Sequence, residues 1–565
     1  MDILPADYPP PCRPSDQGVL PSAAEDERID VGVLIVGAGP AGLATAVRLG
    51  QLLGEDPELA EQLGEVPVAV ADKGKTAGSR LLSGAVMRPG PLKALFPDTP
   101  DDDFPTYGTV SGEAVYLMRK RAKIRIPTPP QMKNHGNWII SISQMARWMS
   151  EQAEEMGAFL LPETDAQKLI VDQGRVLGVV TGDKGRGRDG EELSAFEPGA
   201  EVHAKVTVIA EGTPGHLAGV VRSVFDLDRD STQSWELGVK EVWRVPKPLG
   251  KLIHTLGWPL SFRSKYREYG GSWIYPMGED MISLGYVIGL DYADATLSAH
   301  DILQEFKTHP FIREILAGGE RVAWGAKTIP GGGLYGLPSR LHVPGAVLVG
   351  DSAGFVDMMA LKGVHLAIQS GTIAGEQIYA ALKADKATAP AGLWGYTKAI
   401  QDSSVWKELW KVRNIRPAFQ KNFIYGGMVH GMATASGGRL PRKRVKSKPD
   451  AKEPIFIGNR SAGYPTPDGE YIFDKLSSVF ASGNATRDDQ PSHIRVRTEV
   501  PAALATAWVN MCPAKVYEID EDAPRNGTVT VRVNASNCVQ CGAITAKGGR
   551  LTPPEGGSGP EYTIT

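Results

Sequence analysis

The sequence has few cysteines, no long apolar segment and no strong excess of either charge. Its four cysteines are too few and too clustered for a disulfide framework. No run of about 18 apolar residues is present, so the sequence predicts no membrane-spanning helix. The balance of 61 basic and 65 acidic residues leaves a net charge of −4, which excludes bulk nucleic-acid binding as the main role.

The N-terminal residues 1–28 are acidic and rich in proline. They lack the basic start and apolar core of a secretory signal, and the Arg/Ser-rich amphipathic helix of a transit peptide. This composition predicts a cytoplasmic bacterial protein, with a processed organellar protein as the alternative. The length of 565 residues allows three or four structural units.

A glycine motif near the N-terminus predicts a dinucleotide site. Gly37, Gly39 and Gly42 follow an apolar strand and precede a helix predicted at 43–52. Gly37 permits the tight turn, Gly39 lets the backbone approach a pyrophosphate, and Gly42 lets the helix pack on the strand. The next strand ends in Asp72, whose carboxylate is placed to accept ribose hydroxyls.

A second glycine-containing segment favours FAD over NAD. An apolar strand ends in Gly350 and Asp351, and a helical pattern begins at Gly363. An aspartate there is suited to hold a ribityl hydroxyl, while the helix start faces the flavin. A third strand closes on Glu211 and Gly212. An NAD dehydrogenase would complete its nucleotide site within roughly 150 residues, so this dispersed set predicts an α/β FAD domain of the glutathione-reductase-like class.

The C-terminal cysteines predict an iron–sulfur site. Cys512 precedes a proline, and a predicted hairpin of 515–519 with 528–533, turning at 522–527, leads to the C-x-x-C pair Cys538 and Cys541. A C-x-x-C loop with a distant Cys-Pro is typical of small ferredoxins. A ferredoxin loop would place its next cysteine at position 544, where this chain has Ile544.

Several further motifs carry a family resemblance. They are HGNWIISI at 135–142, HTLGWPL at 254–260, SLGYVIGLDY at 283–292, WKELWKVRNIRP at 406–417, DDQPSH at 488–493 and CPAKVYEI at 512–519. Together with the first glycine motif, they resemble electron transfer flavoprotein–ubiquinone oxidoreductases over nearly all of residues 28–562. The resemblance implies an enzyme that passes electrons from reduced electron transfer flavoprotein, through FAD and an iron–sulfur cluster, to ubiquinone or menaquinone.

The resemblance also implies a domain organisation in which an α/β FAD domain encloses a β-rich quinone domain and is followed by a ferredoxin-like α+β domain. The predicted boundaries are an N-terminal tail at 1–28, the first part of the FAD domain at 29–225, the quinone-binding domain at 226–335, the second part of the FAD domain with a membrane-docking region at 336–440, and the iron–sulfur domain at 441–565.

The quinone site follows mainly from the resemblance. It implies that His254, Gly257, Trp258 and Tyr275 lie on strands covering the flavin, with an apolar lining for an isoprenoid chain. Core packing is the alternative role for these residues. His216 is interpreted as a surface or packing residue and is left out of the site.

The first departure from the family concerns the cluster. Cys512, Cys538 and Cys541 match the family's ligands, but an aliphatic Ile544 does not ligate iron. Three states stay open: a three-iron cluster or a four-iron cluster with an open iron, a non-cysteine fourth ligand such as Thr545 or hydroxide, or loss of the cluster. Cys12 is a weaker candidate for recruitment, because its surroundings are those of an unstructured tail.

The second departure concerns membrane docking. Family members carry a strongly apolar helix after the segment that matches 425–428, whereas 429–438 here reads VHGMATASGG. One helical face nevertheless collects Phe419, Phe423, Ile424, Met428 and Met432, and the basic residues that follow are Arg442, Lys443, Arg444, Lys446 and Lys448. This arrangement predicts peripheral contact with the cytoplasmic face of a bacterial inner membrane. The protein is also expected to be a monomer. A solvated basic loop beside a core helix is the alternative.

Two other functions are considered. A cluster-poor paralogue resembling geranylgeranyl reductases would use the same flavin frame to reduce an isoprenoid double bond. A redox-inert protein would bind electron transfer flavoprotein without turnover, but the intact flavin glycines and Asp351 argue against it.

Overall fold

The computed structural model describes residues 3–84, 86–261, 265–384, 386, 390–520 and 527–565. Its largest sheet has nine strands, and Ile29–Val36 pairs in parallel with Val68–Ala71 on one side and Glu201–Ile209 on the other. These strands are largely apolar and buried, as expected of a parallel sheet covered on both faces. The other six strands of this sheet are Gly18–Val19, Ala166–Asp172, Arg175–Thr181, Phe159–Leu161, His342–Val343 and Ala346–Leu348.

Two long helices pack together on this sheet. They are Pro40–Gly54, which follows the first glycine turn, and Val364–Lys383, which begins after Gly363. A Cβ on Gly371 would lie 2.1 Å from the carbonyl oxygen of Ala41, so glycine permits this close contact. Both predicted helices, 43–52 and 363–378, are therefore confirmed: the first is longer at both ends, and the second begins one residue later and extends further.

The second large sheet has seven strands. In spatial order they are Glu320–Pro330, Trp235–Arg244, Met281–Gly289, Gly270–Met277, Leu252–Gly257, Glu113–Arg119 and Ala122–Ile126. Glu113–Arg119 pairs in parallel with Leu252–Gly257. This sheet thus takes two strands from outside the boundaries 226–335 expected for it, because the edge strand 252–257 finds its partner earlier in the chain.

The C-terminal unit shares the core of the seven-stranded sheet. The predicted hairpin is present as Tyr517–Ile519 with Thr528–Val533, and 521–526, which make up most of its predicted turn, lie outside the described residues. Trp508 of the helix Ala502–Met511 and Trp324 of the sheet are both fully buried in one hydrophobic cluster, which also contains the three C-terminal cysteines. Cys512, Cys538 and Cys541 are therefore fixed relative to the seven-stranded sheet.

The N-terminal residues are ordered against the rest of the fold, which differs from the tail expected there. Gly18–Val19 joins the nine-stranded sheet by pairing with Leu169 and Ile170. The backbone N–H groups of Ser22 and Ala23 donate to the carboxylate of Glu201. These backbone contacts join residues remote in sequence, so composition alone did not reveal them.

The remaining elements complete the α/β and α+β architecture. The other helices are Pro57–Gln62, Gly90–Leu95, Ile142–Glu155, His216–Val224, Ala299–Lys307, Pro310–Leu316, Gly350–Ala353, Pro390–Asp402, Ser404–Val412, Ile415–Lys421, Phe423–Ala435 and Lys475–Phe480. The other strands are Val86–Met87, Thr106–Thr109, Trp138–Ile140, Lys184–Arg186, Glu192–Glu197, Ile494–Arg495, Glu499–Pro501 and Arg550–Leu551. Within the described residues, no helix combines the length and the apolar character needed to span a membrane. The predicted fold class is confirmed.

Candidate functional site

A deep cavity lies where the two large sheets meet the C-terminal unit. Gly37 and Asp351 line it from the nine-stranded side, and Trp273 and Val287 line it from the seven-stranded sheet. Gln540, between the cysteines of the C-x-x-C loop, also lines it. One cavity therefore brings together residues from all three parts of the chain.

The first glycine turn forms one end of the cavity. Gly37 has φ +113°, and a Cβ there would lie 2.4 Å from the carbonyl oxygen of Ala210, so the turn requires glycine. A Cβ on Gly39 would meet nothing closer than Leu81 at 3.8 Å, which leaves this backbone facing open space. A Cβ on Gly42 would lie 2.1 Å from the Gly37 carbonyl oxygen. The geometry matches a turn, an approach surface and a close helix contact.

Asp72 lies directly beside this turn. Its carboxylate accepts hydrogen bonds from the backbone N–H groups of Ala38 at 2.8 Å and Gly74 at 2.7 Å. These two bonds hold the carboxylate at the cavity wall, where Lys73 follows it in the chain. The position suits a group that accepts ribose hydroxyls.

Glu211 and Gly212 form hydrogen bonds with two other segments that border the cavity. The carboxylate of Glu211 accepts from the backbone N–H of Ala218, so it caps the helix His216–Val224 while lining the cavity. Burial raises the pKa of Glu211. The backbone N–H of Gly212 donates to the hydroxyl of Ser352 at 3.1 Å, next to Asp351.

Asp351 has a different environment from the other carboxylates. It is the second residue of the short helix Gly350–Ala353, lines the cavity and accepts no hydrogen bond from another described residue. Burial raises the pKa of Asp351 to about 6, and the positive charge of Lys327 opposes that shift. Gly363 precedes the helix Val364–Lys383, and a Cβ on it would come within 3.8 Å of the Asp351 carboxylate. The unpartnered carboxylate suits a ligand that donates hydrogen bonds from hydroxyl groups. The N-terminus of the long helix beside it suits an electron-rich ring edge on the same ligand.

The other half of the cavity is mainly apolar. Its lining includes Trp273, Val287, Ile329, Val356, Met358 and Leu361. Two polar side chains, Tyr275 and Lys362, also line this half. A largely apolar pocket with few polar groups is the usual form of a small-molecule site.

Among the predicted quinone residues, Tyr275 lines the cavity and His254 lies behind it. The Tyr275 hydroxyl and His254 Nε2 share a hydrogen bond of 2.6 Å. Burial lowers the pKa of His254 to about 3 and raises that of Tyr275, so the pair is neutral near pH 7. His254 therefore orients the tyrosine hydroxyl.

Gly257 and Trp258 lie away from the cavity lining. The carbonyl oxygen of Gly257 accepts from the Tyr286 hydroxyl at 3.3 Å. The Trp258 ring packs against His309 with 5.6 Å between centroids. Both contacts are packing contacts within the seven-stranded region, and a quinone-binding role for these two residues stays a prediction.

The three C-terminal cysteines are buried close together. Burial raises the pKa of Cys512, Cys538 and Cys541, that of Cys541 to about 12. The charge of another cysteine of the group also raises the pKa of Cys538 and Cys541, whereas Lys475 opposes the rise at Cys512. Backbone N–H groups of Val516 and Gln540 point at the sulfurs of Cys512 and Cys538, at 3.5 and 3.3 Å. Burial therefore favours the neutral thiols unless a cation binds them.

The C-x-x-C loop is fixed to the cavity wall. The backbone N–H and the hydroxyl of Thr328 both donate to the carbonyl oxygen of Cys541. Next to it, Lys327 Nζ donates to the carbonyl oxygen of Gln540 at 3.2 Å. Lys327, Thr328 and Gln540 all line the cavity, so an iron–sulfur site here would adjoin the nucleotide site.

A fourth thiolate is missing from this arrangement. Ile544 is 3% exposed, and its side chain lies against the backbone of Gly549 close to Val496. Cys12 lies beside Arg550.

No group of three or more His, Cys, Asp or Glu among the described residues is placed to hold a single metal ion. Because each cysteine of an iron–sulfur cluster binds a different iron, three neighbouring thiols that do not form a single-ion site fit part of a cluster.

An apolar patch lies on the helix Phe423–Ala435. Ile424, Met428 and Met432 are spaced four residues apart and are 74%, 59% and 44% exposed. Phe419 instead packs inward on Tyr269 at 5.2 Å between ring centroids. The five basic residues predicted beside this helix, Arg442, Lys443, Arg444, Lys446 and Lys448, are all exposed.

Family models match two parts of the chain. Residues 235–329 match the model described as ETF-QO, ubiquinone-binding. Residues 469–563 match the model described as electron transfer flavoprotein-ubiquinone oxidoreductase, 4Fe-4S. The mitochondrial electron transfer flavoprotein-ubiquinone oxidoreductase of Caenorhabditis elegans is 36% identical over 94% of this chain and 91% of its own length. The human protein of the same name is 37% identical over 94% of this chain and 88% of its own length.

The chain belongs to the electron transfer flavoprotein–ubiquinone oxidoreductase family. The resemblance seen in the sequence motifs is thereby confirmed. Among solved structures, a geranylgeranyl bacteriochlorophyll reductase-like protein from Thermoplasma acidophilum is similar, with a TM-score of 0.55 and 17% identity over 73% of this chain and 96% of that chain. At this identity the likeness concerns the fold alone.

Three residues that line the cavity in this family member were missed in the sequence. His216, expected at the surface or in packing, is buried with a pKa lowered to about 3 and bonds to the Gln167 carbonyl oxygen. Lys327 and Lys362 are buried lysines in the cavity wall. For Lys362 a signal was available, because it directly precedes Gly363, which was already assigned to the site.

Proposed function

We propose that this protein takes electrons from reduced electron transfer flavoprotein and passes them to a quinone, with FAD and an iron–sulfur cluster as cofactors. One observation carries this proposal: the glycine turn, Asp351, the apolar half and the C-x-x-C loop all border one cavity. A shared cavity keeps the proposed cofactor and substrate positions close together, which favours direct electron transfer between them. The family match supports the same function.

The residues of the nucleotide end fit FAD. The open backbone at Gly39 would approach the pyrophosphate, Asp72 would accept ribose hydroxyls, and Asp351 would accept a ribityl hydroxyl. Bound FAD supplies the redox chemistry, since it accepts electrons singly or in pairs. The protein positions it and excludes water.

The apolar half of the cavity is proposed to bind the quinone ring. Trp273 and Met358 supply apolar surface, and the Tyr275 hydroxyl is oriented by His254 toward a quinone carbonyl oxygen. A neutral Tyr–His pair donates a hydrogen bond without placing a charge in this half. The pair would thus bind and orient the substrate.

We also propose that Cys512, Cys538 and Cys541 hold an iron–sulfur cluster that has no fourth cysteine ligand. The fourth iron of this cluster either lacks a protein thiolate or is absent. Three buried thiols with backbone N–H groups aimed at two of them support this assignment. Ile544 supplies no ligand.

Peripheral membrane contact is proposed through the apolar patch of Ile424, Met428 and Met432. Exposed apolar side chains beside five exposed basic residues suit a surface of anionic head groups. Behind the patch, Phe419 and Met358 belong to the same region of apolar packing that reaches the cavity. An isoprenoid quinone could enter the cavity from the lipid along this side. A monomeric state and the cytoplasmic face of a bacterial inner membrane stay predictions.

The test uses the anaerobically purified protein with its FAD content measured. Electron transfer flavoprotein reduced beforehand is mixed with catalytic amounts of the protein and ubiquinone-1, and quinol formation is followed. The control is Gly39→Val, which the backbone tolerates at φ −93° but which places methyl groups where the pyrophosphate would lie. We expect quinol from the wild-type protein and none from the control.

Two other outcomes would contradict the proposal. A protein that binds FAD, reduces no quinone and hydrogenates a geranylgeranyl chain would be a reductase of the alternative class. A protein that binds electron transfer flavoprotein but no FAD would be a redox-inert partner.

A further inference from the structure

Lys362 occupies an unusual place in the cavity wall. It precedes Gly363, is 4% exposed and lines the apolar half of the cavity. Its backbone N–H and carbonyl pair with those of Asp357, which fixes the segment between them. The side chain is therefore held at the cavity by local backbone structure.

The ammonium group of Lys362 has only one protein acceptor among the described residues. Nζ donates to the carbonyl oxygen of Ala360 at 3.3 Å, and no carboxylate forms an ion pair with it there. A lysine carries three N–H donors. At least one N–H bond is thus free to face a molecule in the cavity.

Charged groups that do not line the cavity lie near Lys362. The pKa of Lys362 is lowered to about 7, chiefly by burial and also by the positive charge of Arg88, while Asp357, Glu113 and Glu408 oppose the shift. A lysine with a pKa of about 7 exchanges its proton near neutral pH, as general acids require.

A polar cluster close to Lys362 reaches solvent. Arg88 and Glu408 form an ion pair at 2.6 Å, and His365 Nε2 lies 3.3 Å from the same Glu408 carboxylate. The Arg88 side chain is 38% exposed. The cluster therefore reaches from the neighbourhood of Lys362 to the surface.

On the cavity side, Lys362 faces the proposed quinone position. Its charge lowers the pKa of His254, whose ring bonds to the Tyr275 hydroxyl. Lys362, His254 and Tyr275 thus converge on one end of the apolar half. Lys362 is cationic in its acid form, whereas His254 and Tyr275 are neutral.

We propose that Lys362 is the proton donor to one carbonyl oxygen of the quinone bound in this cavity. This inference rests on the quinone site proposed above. Reduction of a quinone to a quinol consumes two electrons, which the flavin supplies, and two protons. The Lys362 N–H bond breaks as the quinone O–H bond forms, which leaves a neutral amine. The second quinone oxygen takes its proton from solvent, a further solvent proton restores the Lys362 ammonium, and the protons lost by the reduced flavin return to solvent.

The test compares Lys362→Gln and Lys362→Arg with the wild-type protein, each with measured FAD content. Arginine keeps the positive charge, but its guanidinium does not release a proton near neutral pH. The photoreduced proteins are mixed anaerobically with ubiquinone-1, or with ferricenium, an acceptor that takes up an electron and no proton. Binding of ubiquinone-1 to the oxidised proteins is measured separately by quenching of tryptophan fluorescence, since Trp273 lines the site.

We expect both variants to lose at least about tenfold in the rate of oxidation by quinone, while oxidation by ferricenium and the Kd for quinone change by less than about threefold. The rate with quinone should fall above about pH 7 in the wild-type protein, because the donor form of Lys362 disappears as the pH rises through its pKa. The variants should lack that step.

Other results would overturn the inference. A wild-type rate in Lys362→Arg would show that the charge alone matters. If the rates of oxidation by quinone and by ferricenium fall equally, the substitution has changed the flavin site and not proton delivery. If the wild-type protein itself is oxidised by ferricenium but not by quinone, the proposed function fails and this inference fails with it.

Discussion

Thr328 donates two hydrogen bonds to the carbonyl oxygen of Cys541, one from its backbone N–H and one from its hydroxyl, each at 2.8 Å. Thr328 lies on the strand Glu320–Pro330, which borders the cavity, and Cys541 ends the C-x-x-C loop. A residue of the quinone-domain sheet therefore fixes the position of a proposed cluster ligand relative to the nucleotide site.

Replacing Thr328 by valine should weaken this link. The variant keeps the backbone donor and the buried volume but loses the hydroxyl bond, so the free energy of unfolding should fall by about 1 kcal/mol. Urea denaturation of the anaerobic protein, followed by circular dichroism, measures the change. Thr328→Ser keeps a hydroxyl and should lie closer to the wild-type value. Equal stability of all three proteins would show that the hydroxyl bond contributes nothing.

Restoring a cysteine at position 544 should complete the cluster. Ile544→Cys recreates the C-x-x-C-x-x-C spacing, so the ratio of iron to FAD should rise by about one atom if the wild-type cluster has three irons. If the wild-type cluster has four irons, the iron content should stay the same and only the electron paramagnetic resonance spectrum should change. Iron and sulfide analysis with electron paramagnetic resonance of the oxidised and reduced proteins gives the cluster type. In the wild-type protein we expect a three-iron signal when oxidised, or a four-iron signal when reduced.

Cys538→Ser is the matched control that removes a ligand. Its iron content should be lower than that of the wild-type protein. A wild-type protein with FAD and no iron would contradict the three-cysteine assignment. So would an iron content that neither substitution changes.

Acidification should destabilise the protein through its buried histidines. The pKa of His254 is about 3 in the folded state and about 6.5 in an unfolded chain, so only the unfolded state gains the proton between these values. Stability is therefore fully present above about pH 6.5 and is lost as the pH falls toward 3. Between pH 7 and 5.5 this one histidine should lower the free energy of unfolding by about 1 kcal/mol.

Urea denaturation at the two pH values measures this effect. His254→Gln should reduce the pH dependence by about 1 kcal/mol, whereas His135→Gln, at an exposed position, should leave it unchanged. An unaltered pH dependence in His254→Gln would show that His254 is not held neutral by burial.

A charge in the apolar patch should weaken membrane binding. Ile424→Glu replaces a 74% exposed apolar side chain, and binding to vesicles containing anionic lipid should fall at least about tenfold. Co-sedimentation at two salt concentrations measures it, and salt should weaken the wild-type interaction because the basic residues contribute. Phe480→Glu is the control, since Phe480 is 89% exposed but lies on a different helix, Lys475–Phe480. If both variants bind as the wild-type protein does, the patch is not a membrane contact.

The nucleotide end was predictable from sequence because its geometry is local. The turn at Gly37 needs a positive φ, and the close packing of Gly42 against it depends on residues five positions apart. Asp351 was predictable for a related reason, since a strand end and a helix start bring it to the cavity. In each case the local residue pattern reports the backbone conformation directly.

The polar residues of the cavity wall were harder to predict. Lys327 bonds to Gln540, which is 213 positions away in the chain. His216 lies between Gln167 and Arg550, at separations of 49 and 334 positions. A lysine or histidine in a sequence is usually solvated, and only these distant contacts bury it. The same reason explains why Gly257 and Trp258, part of one sequence motif with His254, lie away from the cavity.

The sequence by itself determined the family, the α/β FAD fold, the glycine turn and the missing fourth cysteine, because each depends on residue types at short spacing. Only the tertiary structure decided that Tyr275, Lys327, Lys362 and the C-x-x-C loop share one cavity. That convergence depends on how the two sheets and the C-terminal unit pack, and packing is set by buried contacts between distant segments. The burial that lowers the pKa of Lys362 arises from the same packing.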